Sequence, residues 1–121
     1  MTKGLLITPT DDGYVVKEFD GGLPEMQAAV GGYVEVIPTD ESVTIWVAED
    51  GKFTGLPANR LAMDCWIRWD IHYCMLRGGD WIAGPALFTG GVGAQGESLD
   101  LPPGHRHWVL RVARDAGAAI S

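Results

Sequence analysis

Apolar and polar positions along the chain change period several times, and each change marks an element. Leu5-Leu6-Ile7 is a short apolar run closed by Thr8-Pro9-Thr10-Asp11-Asp12-Gly13, and Tyr14-Val15-Val16-Lys17-Glu18-Phe19 follows. Asp12-Gly13 between two β-prone runs signals a hairpin, with strands over about 4–8 and 14–19. From Gly22 the pattern turns helical. Proline stands near the start of this segment, Gly31-Gly32 closes it, and Leu23, Met26, Ala29 and Val30 share one face. Two helical turns cannot stand alone in water, so this helix needs a sheet to lie on.

Alternation returns at Tyr33, with Val34 and Val36 on one side and Tyr33, Glu35 and Ile37 on the other. After a loop over 38–42, Val43, Ile45 and Val47 oppose Thr44, Trp46 and Ala48, which predicts a strand over 43–48. Glu49-Asp50-Gly51-Lys52 reads as a polar turn. Leu56-Pro57 opens a short helix to about Met63, with Pro57 in its first turn. From Ile67 the period is two again. Ile67, Trp69, Ile71, Tyr73 and Met75 share one face, and Arg68, Asp70, His72 and Cys74 the other. After the reversal Arg77-Gly78-Gly79-Asp80, residues 81–89 return as a strand that Pro85 interrupts or confines to an edge. Gly90 to Gly96 is a flexible link. A last helix begins near Pro102-Pro103, capped by Asp100, with Trp108, Val109, Val112, Ala113 and Ala116 as its apolar stripe.

These elements predict a single α+β domain over residues 1–121. A mixed, mainly antiparallel sheet of five to six strands carries two short helices and a C-terminal helix. At 121 residues one core is the expectation, burying roughly two-thirds of the unfolded chain's surface. With 46% hydrophobic and 21% charged residues the chain is globular rather than disordered.

The net charge of −7 argues against general nucleic-acid binding, which needs a basic surface, and leaves a basic protein partner open. No apolar run reaches ~20 residues, so no membrane span is expected. Two cysteines do not make a disulfide framework, and no signal-peptide pattern opens the chain. The expectation is a reduced, cytoplasmic protein.

Several stretches together resemble one family, the domain of unknown function 3846. They are the opening hairpin, Gly22-Leu23 with Met26-Gln27, Val30-Gly31-Gly32-Tyr33-Val34-Glu35, and Asp50-Gly51-Lys52. They continue with Gly55-Leu56-Pro57-Ala58-Asn59-Arg60 and with Ile82 to Gly90. The resemblance covers about residues 4–91. It departs over 62–81, where a tryptophan-rich segment looks like an insertion, and in the tail over 97–121. It implies a small protein of a phage or other mobile element, and it transfers no catalytic residue and no cofactor.

Candidate chemistry is sparse. Gly91-Val92-Gly93-Ala94-Gln95-Gly96 spells a dinucleotide-binding pattern, but that chemistry needs a helix to start at once, and Glu97 to Pro103 intervenes. Cys65, His72, Cys74, His105 and His107 offer ligands to a metal, without the paired spacing of a zinc site; the plainer reading is buried thiols and surface histidines. Asp70, His72 and Cys74 share a strand face, as a nucleophile with its base would. Neighbours about 6–7 Å apart and the lack of an oxyanion donor weigh against it.

Trp66, Trp69, Tyr73 and Trp81 concentrate four aromatics in sixteen residues, a density that suits a protein interface, although Trp69 and Tyr73 also fit a core. Tyr33, Glu35, Asn59 and Arg60 form a second candidate, a pocket for a small anion such as a nucleotide, completed across a homo-oligomer. Against it, Asn59 can serve a neighbouring backbone and Arg60 can pair with Glu35. Catalysis is not indicated. The leading expectation is a non-enzymatic accessory protein that binds a host or phage protein, with a nucleotide sponge as the alternative.

Overall fold

The computed structural model describes residues 2–38, 42–50, 55–66 and 82–121. The strand expected over 67–75 lies outside them, together with Trp69, Asp70, His72, Tyr73, Cys74 and Trp81.

The first hairpin is longer than its apolar runs. Strand β1 (Thr2–Thr10) pairs antiparallel with β2 (Gly13–Gly21) from Thr2↔Gly21 to Thr10↔Gly13, leaving Asp11-Asp12 as the two-residue loop. Helix α1 (Leu23–Val30) follows at once. Its start is closed by the Glu25 carboxylate, which accepts the Gly22 N–H at 2.8 Å. Its end is closed by Gly31, which takes the left-handed conformation at φ 88° that glycine adopts without strain. The N–H groups of Gly31 and Gly32 both donate to the Gln27 carbonyl at 3.0 Å. Met26 and Val30 are buried, whereas Leu23, expected on the same stripe, is 52% exposed at the first helical residue.

Strands β3 (Val34–Pro38) and β4 (Val43–Ala48) make the second hairpin. Strand β5 (Ala86–Gly90) lies between β4 and β1 and pairs antiparallel with both. A short tail strand not foreseen in the sequence, here β6 (Ala119–Ile120), joins β2 in parallel and makes the sheet mixed. The order is β3-β4-β5-β1-β2-β6. Pro85 does not make its strand an edge. It stands just before β5, which is central and buried at every position, so the proline interrupts the 81–89 run and pairing begins at Ala86.

Helices cover both faces of the sheet. On one face Leu5, Ile7, Val16, Ile45 and Phe88 pack against α2 (60–66 among the described residues) and α3 (Pro103–Asp115). On the other, Phe19, Leu87 and Ala48 pack against Met26 and Val30 of α1. The alternation of β4 explains how one strand serves both: Ile45 and Val47 enter the first core, and Ala48 and Trp46 the second.

Two expectations near the C-terminal helix are corrected. Asp100 does not cap α3, whose N-cap is Pro102; its carboxylate accepts the Lys3 N–H at 2.9 Å and ties the preceding loop to β1. The segment Gly91 to Gly96 is a folded turn rather than a loose link. Val92 bridges Ser98, and the Gly93 N–H donates to the Glu97 carbonyl at 2.8 Å. No helix starts there, so the glycine pattern lacks the element that would meet a pyrophosphate.

Candidate functional site

The segment 55–60 turns from one face of the sheet to the other, since Leu56 packs with the α1 core and Leu61 with the α2 core. Asn59 holds this crossing. It is 0% exposed, and its Nδ2 donates to the Ile7 and Gly84 carbonyls, each at 2.9 Å. Its Oδ1 accepts the Ala62 N–H at 3.1 Å, so Asn59 is the N-cap of α2. The helix therefore starts at 60, later than the Pro57 start the sequence suggests, and it reaches at least residue 66. Around this amide the backbone of 57–59 pairs with 82–84: Ala58 bridges Ala83, the Asn59 N–H reaches the Ile82 carbonyl at 2.8 Å, and the Gly84 N–H reaches the Pro57 carbonyl at 2.7 Å. Gly84 has φ 78°, and a Cβ there would stand 2.7 Å from Leu56 Cδ1. Neither the backbone angle nor the space admits a larger residue without strain.

Beside this crossing, at the C-terminal end of α1, a cavity of ≈ 400 Å³ opens to solvent. Its described walls are residues 28–30 in the last turn of α1 with the cap Gly31, Ala48 at the end of β4, Asp50 beyond it, Leu56, and Pro85 just before β5. The wall is mainly apolar, and Asp50 is its one charged side chain among the described lining residues. Small side chains on the helix create the space: Ala28 and Ala29 stand where longer residues would fill it. Tyr33 adjoins the same corner, its carbonyl accepting the Glu49 N–H at 2.8 Å, and its side chain is 76% exposed.

The four residues Tyr33, Glu35, Asn59 and Arg60 do not form one pocket. Asn59 is committed to backbone groups and buried, while Tyr33, Glu35 and Arg60 are exposed. Arg60 is the first residue of α2, and Glu35 stands opposite Val47 in the β3–β4 register. Among the described residues neither has an ion-pair partner. Trp66 is not an exposed interface residue. It is 0% exposed within the α2 core, because α2 continues past Met63 and turns its indole inward. Trp69, Tyr73 and Trp81 lie outside the described residues.

Of the candidate metal ligands, Cys65 is buried in the same core, while His105 and His107 are on α3. His105 Nε2 lies 3.4 Å from Ser42 Oγ. No group of three or more His, Cys, Asp or Glu side chains that could hold a metal comes together among the described residues. No described helix is long and apolar enough to cross a membrane.

Sequence reasoning missed the cavity, although its parts were in view. The stretches Val30 to Glu35, Asp50 to Lys52, Gly55 to Arg60 and Ile82 to Gly90 each supply at least one wall residue: Val30 and Gly31, Asp50, Leu56, and Pro85. The usable signal was Ala28-Ala29 one residue before the Gly31-Gly32 pair, a helix end with little side-chain bulk.

No curated protein and no solved structure matches the chain. A family model does match, that of "Domain of unknown function (DUF3846)", over residues 1–112. The match extends beyond 4–91, through the tryptophan-rich segment and into α3. With nearly its whole length matched, the chain belongs to the family described as domain of unknown function 3846.

Proposed function

We propose that the chain is a non-enzymatic binding protein, an accessory protein of a phage or mobile element, and that it holds a small ligand in the cavity at the end of α1. The observation that carries this is convergence: four separated sequence stretches each contribute to one concave wall. A volume of ≈ 400 Å³ with a mainly apolar lining and a single carboxylate is the usual make-up of a small-molecule site. Asn59 enters this reading as the residue that fixes the wall, since it binds Gly84, which in turn abuts Leu56. An anionic nucleotide is disfavoured in this cavity, because Asp50 would repel it and no described lining residue is basic.

Native mass spectrometry of the chain purified from its own host tests the reading. A co-purified small molecule is expected, and it should be absent from Ala28→Phe, which fills the cavity from an exposed helical position. An unliganded native chain, or a ligand retained by Ala28→Phe, would contradict it.

Protein–protein interaction is the second reading. The observation favouring it is exposed apolar surface at the β3 margin, where Tyr33 is 76% and Val36 45% exposed. Trp69, Tyr73 and Trp81 extend this reading, while Trp66 belongs to the core. It predicts that Tyr33→Ala and Trp81→Ala together abolish capture of a host or phage protein. Unchanged capture removes it.

A further inference from the structure

Resting on the cavity reading, we propose that the ligand is a small organic cation, an ammonium group carried on an apolar body. Among the described lining residues the one charged side chain is acidic, that of Asp50. Helix α1 ends there, and among the described residues no donor reaches the carbonyls of Ala28, Ala29 or Val30, because Gly31 and Gly32 both bond back to Gln27. A helix C-terminus carries about half a negative charge on such carbonyls. The last turn of α1 holds no basic side chain to offset it. The Asp50 carboxylate adds a full negative charge on the same wall.

An anion or an acceptor-rich ligand meets repulsion from both sources. A neutral apolar molecule leaves the carboxylate and the carbonyls unpaired wherever it displaces water. An ammonium donates to both, and its carbon body fits against Ala29, Val30, Leu56 and Pro85. The chain's net charge of −7 acts in the same direction at long range by concentrating cations around the molecule.

The test is isothermal titration of the full chain with a matched pair of probes, 2-phenylethylammonium and 2-phenylethanol, at low salt. The two share a carbon skeleton and differ in the ammonium group. The ammonium is expected to bind about tenfold or more tightly than the alcohol, and Asp50→Asn should remove that preference by a similar factor. Asp50 is exposed, so the substitution leaves the fold intact, which a circular dichroism melt checks. Ala28→Phe should abolish binding of both probes.

Equal affinity for the two probes, with Ala28→Phe still blocking both, overturns the cation assignment and leaves the cavity reading standing. Ammonium binding unchanged in Asp50→Asn overturns it as well. Binding of neither probe overturns the assignment and withdraws the cavity's claim to small amines together.

Discussion

The two faces of the sheet are built to different standards. The face under α2 and α3 carries a continuous core that runs from Val43 and Ile45 through Phe88 and Leu5 to Val109 and Ala113, with the indole of Trp66 closed inside it. The face under α1 carries a smaller one, made chiefly of Phe19, Met26, Val30, Ala48 and Leu87. Helix α1 has eight residues, and the cavity begins where it stops. The first cluster holds more of the described buried side chains, and the cavity opens beside the second.

Substitutions on the first face should act on stability. Trp66→Ala removes a large, fully buried side chain and should cost about 3–5 kcal/mol in chemical denaturation. A loss below ~1 kcal/mol would mean that Trp66 lies at a surface and would return it to the interface reading. Asn59→Ala leaves the carbonyls of Ile7 and Gly84 and the Ala62 N–H without their partner. It should cost about 3 kcal/mol by the same measurement. Asn59→Asp should restore no more than the cap, since a carboxylate cannot donate to two carbonyls.

Where the two faces meet, Gly84→Ala should cost about 1–3 kcal/mol, through its positive φ and its contact with Leu56. Leu56 is also cavity wall, so this one substitution should disturb ligand binding as well. A stability loss with unchanged binding would uncouple the crossing from the cavity. The smallest effect should come from the Arg106–Glu18 ion pair between α3 and β2, which is about half exposed at both ends. Glu18→Gln should change stability by less than ~0.5 kcal/mol, with salt reducing it further. A larger change would show that α3 depends on charge as well as on its apolar face.

The elements were legible where the period was clean. The β4 boundaries follow directly from its alternation, and α1 from Pro24 and Gly31, because local signals and packing agree there. The tail strand β6 was not legible, since two residues carry no period and their pairing with Val15 and Val16 is set by where α3 ends. The start of α2 was misplaced because Pro57 is a permissible first-turn residue. Only the long-range bonds of Asn59 to Ile7 and Gly84 show that it, not Pro57, sets the boundary. Asp100 has the residue type of a cap, yet Lys3, 97 positions away, takes its carboxylate.

The candidate site was legible only in pieces. Asn59 and Arg60 are neighbours of similar polarity, but one is interior and the other at the surface. Sequence spacing does not tell which of two adjacent residues faces the crossing. A cavity is a property of what is missing between elements, and it requires α1, β4, β5 and the 55–56 segment to be placed before it exists.

The division between the faces can be tested in one measurement: a ¹⁵N–¹H correlation spectrum of the full chain before and after adding a small-molecule extract of its host. The account predicts shifts that gather at Ala28 to Gly31, Ala48, Asp50 and Leu56, with Leu61 to Trp66 and α3 unmoved. Shifts centred on α2 and α3, or a spectrum that does not change, would contradict it.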